Sequence, residues 1–107
     1  MQPRTASGPG LVVLYRWRLH PGREDAFVEA WAVVTRALRA QGSLGSRLHR
    51  GDDGLWYAYA QWPDAATRAA THAFPGDDAA FAAMRDAVIE RLPEVSLEPV
   101  ADHLVAP

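Results

Sequence analysis

Residues 42–62, GSLGSRLHRGDDGLWYAYAQW, decide the fold. Two short runs flank Asp52-Asp53-Gly54, and Asp-Gly between apolar runs is a strong hairpin signal. The first arm is read as residues 44–50 and the second as 55–62. In the second arm one parity is Trp56, Ala58, Ala60 and Trp62; the other is Leu55, Tyr57, Tyr59 and Gln61. Both faces are largely apolar, so this arm is expected at the centre of its sheet.

Upstream, residues 11–19 form a strand. Leu11, Val13, Tyr15, Trp17 and Leu19 make one fully apolar face, whereas the other face is apolar only at Val12 and Leu14. His20-Pro21-Gly22 breaks the strand, and Phe27, Ala30, Trp31, Val34, Ala37 and Leu38 then recur at helical spacing. Acids in the first turn, arginines near the end and Gly42 as the stop suit a helix of about 19 residues. Downstream, Pro63-Asp64 ends the hairpin and caps a short helix at about residues 65–73. After Phe74-Pro75-Gly76 a longer helix is read at about 79–92, with Phe81, Met84, Val88 and Leu92 on one stripe. Pro93 closes it, and a last strand is expected over 95–105, with Pro99 marking an edge or bulge.

The order is β-α-β-β-α-β, the ferredoxin-like split arrangement of the α+β class, with its second helix in two pieces. Residues 1–10 are expected to be a flexible tail and 11–107 a single domain. Each long helix has a single apolar stripe, so both helices should cover the same face of an antiparallel four-stranded sheet. The other face would present Val12, Leu14 and aromatics of the hairpin. A bare apolar face of that size is best covered by a second copy, so a homodimer through the sheet face is expected.

Composition removes several function classes. There is no Cys, hence no disulfide or thiolate chemistry, and a cytoplasmic location is the expectation. All 11 basic residues are Arg, scattered among acids, and the net charge is −2, so no nucleic-acid stripe stands out. Without Lys there is no Schiff-base or Walker-type lysine. No apolar run approaches the length of a membrane span, and MQPRTASGPG is not expected to be a secretory signal.

Few residues suggest chemistry. His20, His49, His72 and His103 lack metal-ligand spacing, so no metal site is read. His20 and His103 suit strand ends, and His49 lies on the hairpin. His72 ends the short helix, where an imidazole either meets orphan carbonyls or serves as a base near neutral pH. Asp52-Asp53 and Asp77-Asp78 are turn and cap residues. Large rings alternate with many alanines, and rings standing off small neighbours leave room for a flat aromatic ligand.

The runs VVLYRWRLHPGREDAFVEAWAVV and GSLGSRLHRGDDGLWYAYAQWPD resemble the antibiotic biosynthesis monooxygenase (ABM) family of dimeric α/β barrels. The likeness rests on the strand, Pro-Gly and Trp-bearing helix, the hairpin entry, and a strand ending in Gln-Trp. It implies a pocket between sheet and helices in each subunit. Some relatives oxygenate anthrone-like or quinol substrates with O₂ and no metal, flavin or haem, so no cofactor is expected. There the substrate anion itself reduces O₂, within a dry pocket offering a proton acceptor and fixed dipoles. Haem-degrading relatives place an Asn where this chain has Tyr15 and a His near Phe81; with no Asn anywhere, that chemistry is disfavoured. Quinol-oxygenating relatives often carry a His close to the position of His72, whereas the Trp and Asn of anthrone-oxygenating relatives have no clean match.

The leading expectation is therefore a cofactor-independent monooxygenase of an aromatic polyketide or quinol. His72 would be catalytic, and Tyr15, Trp17, Phe27, Trp31, Trp62, Phe74, Phe81, Met84 and Arg85 would bind substrate. Two alternatives stay open. One is a non-catalytic dimeric binding or stress-associated module; the other is a non-oxidative cyclase or isomerase using the same pocket.

Overall fold

The computed structural model describes residues 9–71 and 78–105. Its elements are β1 (Leu11–Leu19), α1 (Glu24–Arg39), β2 (Gly45–Arg50), β3 (Trp56–Trp62), α2 (Ala65–Ala69), α3 (Asp78–Ala87) and β4 (Val88–Leu97). They form a ferredoxin-like α+β fold whose four antiparallel strands run in the order β2-β3-β1-β4.

The hairpin sets the register. At the turn, Gly54 takes a φ of +84°, the left-handed region that glycine enters at least cost. Asp53 Oδ1 accepts from Leu55 N at 3.0 Å, and Tyr57 donates its hydroxyl to the other carboxylate oxygen. These bonds pin Ser46 opposite Ala60 and Leu48 opposite Ala58. β3 is central, as its two apolar parities require, and pairs Tyr15 with Ala58 and Trp17 with Trp56. Opposite residues share a face, so the Tyr15 ring looks across at Ala58, and Trp17 looks across at Trp56.

α1 lies against that face through Phe27, Ala30 and Val34, all buried. Phe27 is fully buried, edge-on to Trp17 at 5.0 Å and to Trp56 at 6.4 Å between ring centroids. Leu19, Ala58 and Ala87 complete this part of the core. α1 ends where Gln41 and Ser43 donate backbone N–H groups to the Leu38 carbonyl. Gly42, at φ +108°, turns the chain there, with Thr67 so close that a Cβ would clash. Asp64 caps α2 by accepting from Thr67 N at 2.7 Å.

Two expectations are corrected. The last helix does not run to Leu92: it stops at Ala87, and Val88 begins a strand. The Ala87 carbonyl, which a longer helix would offer to Arg91, instead accepts from His20 N at 2.8 Å. The last strand likewise ends at Leu97 rather than at Val105, and Pro93, not Pro99, marks the irregularity. Leu14 pairs with Val95 and Arg16 with Leu92, so Pro93 and Glu94 together oppose Tyr15. This is a β-bulge, where a residue lacking an N–H is tolerated. The Pro93 carbonyl accepts from Arg16 Nη2 at 3.1 Å.

The opposite sheet face carries Val12, Leu14, Tyr59, Val95 and Leu97 by register. Val95 and Leu97 are 38% and 39% exposed, and beyond β4 Val100, Leu104 and Val105 are at least 82% exposed.

Candidate functional site

The closed core occupies only part of the space between sheet and helices. Towards the Trp62 end of β3 the layers part around a cavity of about 530 Å³, within the usual size of a small-molecule site. Its floor is the sheet: Tyr15 and Trp17 from β1, Ala58, Ala60 and Trp62 from β3, and Ser46 from β2. The alanines make it possible, since each presents a methyl group where a larger side chain would fill the gap. Trp31, Val34, Thr35 and Leu38 of α1 form one wall. Phe81, Met84 and Arg85 of α3, with Val88 and Arg91 of β4, form the other.

Polar groups are few and placed unevenly. Trp62 is 2% exposed, yet its indole Nε1 has no hydrogen-bond partner among the described residues. The Ser46 hydroxyl, two residues along the same face, is buried and equally unpartnered. Buried polar atoms are nearly always paired, because an unmade bond costs the desolvation of the group. Neither atom presents surface to the cavity, so both are orphans inside the wall rather than groups displayed to a ligand.

At another part of the wall, Tyr15 stacks on Trp17 with centroids 5.8 Å apart. Arg68 of α2 donates from Nη2 to the Tyr15 hydroxyl at 3.1 Å and to Glu94 Oε2 at 2.5 Å. Arg91 lies over the Tyr15 ring at 5.6 Å and approaches Glu94 at 4.0 Å. Partial burial works against the Arg68 charge, but the Tyr15 bond and the Glu94 carboxylate outweigh it, and its proton is held more firmly than usual.

Of the residues singled out in the sequence, Tyr15, Trp17, Trp31, Trp62, Phe81, Met84 and Arg85 line the cavity. Phe27 does not: it fills the closed core beside it. His72 and Phe74 lie outside the described residues. His20 and His103 are exposed, and His49 lies in a separate, more polar groove with Arg39, Arg47 and Tyr59. No cluster of metal-ligating side chains occurs among the described residues. Sequence reasoning missed Ser46, Arg68 and Arg91. Ser46 was within reach, because counting back from the Asp-Gly turn sets it opposite Ala60. Arg91 falls within the stretch whose spacing reads as helix, and nothing local in the sequence ties Arg68 to Tyr15, 53 residues away.

A ferredoxin-like sheet with an aromatic cavity under its helices defines a class of small α+β ligand-binding domains and enzymes. The chain belongs to the antibiotic biosynthesis monooxygenase family, whose model matches residues 10–85. A search of curated proteins found no match. Among solved structures it is similar to SnoaB, a cofactor-independent oxygenase from Streptomyces nogalater. The TM-score is 0.71 and identity 18%, over 87% of this chain and 95% of that one. It is also similar to Rv0793 from Mycobacterium tuberculosis, at TM-score 0.69 and 14% identity, over 88% and 98% of the two chains. PA3566 from Pseudomonas aeruginosa gives TM-score 0.63 and 22% identity, over 90% and 98%. At these identities the likeness establishes the fold. No helix among the described residues is long and apolar enough to cross a membrane.

Proposed function

We propose that the protein is a cofactor-independent oxygenase of an electron-rich aromatic substrate, a polyketide or quinol. The observation that carries this reading is the apolar, ring-lined cavity of about 530 Å³ between the sheet and the helices. Its rings suit a flat aromatic, and its few dipoles suit one carbonyl or oxyanion rather than a heavily hydroxylated ligand. In this reaction the bound substrate loses a proton and its anion reduces O₂. The chain's part is to exclude water, orient the ring and stabilise the negative oxygen. Arg85, which lines the cavity, supplies positive charge for that oxygen. His72 is the proton acceptor in this reading. The similarity to SnoaB adds weight to the choice of an oxygenase over a binding module or a cyclase.

The same reading takes the protein as a homodimer joined through the sheet face. The half-exposed Val95 and Leu97 and the exposed Val100, Leu104 and Val105 favour it. Oxygen uptake with anthrone and quinol substrates is the test. Uptake that needs both substrate and protein, with His72→Ala much slower, is expected. Turnover without O₂ consumption would move the protein to the cyclases, and unchanged turnover in His72→Ala would remove His72 from the mechanism.

A further inference from the structure

Tyr15 is a cavity residue whose polar end is held by a built network of side chains. Arginine can only donate hydrogen bonds, so in the Arg68–Tyr15 contact the phenolic oxygen is the acceptor. Its own proton is then left to donate, and among the described residues no acceptor takes it. The backbone is shaped for this arrangement. The bulge sets Pro93 and Glu94 opposite Tyr15, so Glu94 stands beside it and anchors Arg68 at 2.5 Å. Without that extra residue, strict alternation would leave one side chain there instead of two. Arg91 closes the group from above the ring. Stacking on Trp17 fixes the ring plane, so the hydroxyl has little freedom to turn elsewhere.

We propose that Tyr15, oriented by Arg68, is a ligand-binding donor for an ionised oxygen on the ring of an aromatic ligand in the cavity, with Arg68 as its positioning residue. The proposal rests on the oxygenase reading only for the location of the ligand. It adds a polar contact to the cavity, and it narrows the ligand to an aromatic whose ring bears a phenolate- or enolate-type oxygen.

The test uses two probes of nearly equal shape. Lawsone is a hydroxynaphthoquinone, ionised at neutral pH; menadione carries a methyl group at the same ring position. The measured quantity is the ratio of their dissociation constants by titration of the whole protein. Wild type is expected to prefer lawsone. Tyr15→Phe, which keeps the ring and the net charge, should lower that preference about tenfold while leaving menadione unchanged, as loss of a hydrogen bond to a charged group does. Arg68→Met should lower it about threefold, and Arg68→Lys, which still donates, should recover most of the loss. Thermal unfolding of each variant identifies misfolding, and Glu94→Gln provides a second route to a loosened Arg68. If Tyr15→Phe weakens both probes equally, or neither, the donor role is overturned while the cavity stands. If wild type binds neither probe, the cavity reading falls and the donor role falls with it.

Discussion

One layer, between sheet and helices, is built in two ways along its length. At the end near Leu19, Phe27 sits edge-on between Trp17 and Trp56, and Ala87 plugs the remaining gap. At the Trp62 end, rings of similar size stand around Ala58 and Ala60 and border a half-open space of about 530 Å³. Aromatic content is alike in the two regions; what differs is that Phe27 of α1 packs down between the sheet rings, whereas Trp31 of α1 stands in the cavity wall. The closed end contributes cohesion and the open end contributes room, so stability and ligand affinity should separate by position.

The largest expected effect breaks the closed end. Phe27→Ala should cost about 3–5 kcal/mol in denaturant unfolding, since a fully buried ring leaves a void that its neighbours fill only in part. A loss below about 1 kcal/mol would mean that the two ends are packed alike. Next, Ala60→Phe places a ring in the open end. Lawsone affinity should fall at least tenfold, with a stability cost of about 1–3 kcal/mol at most. A cost matching that of Phe27→Ala would mean that the space is not available to a side chain.

A smaller effect sharpens the comparison because only one of its two readouts should move. Ser46→Ala removes a buried hydroxyl that has no partner among the described residues, so stability should hold or rise by up to about 1 kcal/mol. Lawsone affinity should stay unchanged, because the hydroxyl presents no surface to the cavity. A stability loss instead would show that the hydroxyl is satisfied within the protein.

The smallest effect concerns the turn beside the closed end. The Tyr57 hydroxyl and the Leu55 N–H hold the Asp53 carboxyl below its usual range, and Asp53 in turn raises Tyr57. The Thr67 hydrogen bonds likewise lower Asp64 at the α2 cap. A carboxyl held low stabilises the fold above the ordinary carboxylate range, about pH 4, and that contribution fades as pH falls through its folded value. The Tyr57 contribution is present below about pH 10 and is lost above it. Asp53→Asn should therefore flatten the acid limb of melting temperature against pH. At neutral pH it should leave lawsone binding unchanged.

The central strands were legible because parity and turn chemistry agreed: the Asp-Gly turn fixed the register, and Tyr15, Trp17, Ala58, Ala60 and Trp62 followed onto one face. The stretch after Ala87 misled because Phe81, Met84 and Val88 continue a helical spacing by coincidence. There β-branched Val88 and Ile89 and the pairing with β1 prevail over local periodicity. The same misreading turned Pro93 into a helix stop and hid Arg91. Arg68 was illegible for a different reason: its role exists only through tertiary contacts with Tyr15 and Glu94.

The kink at Pro93 also bears on how copies of this chain meet. β4 is an outer strand, and an outer strand with an uninterrupted row of amides invites another sheet to join it end on end. A missing amide and an out-of-step residue halfway along spoil that template. Lateral growth into fibrils is thereby discouraged on this side.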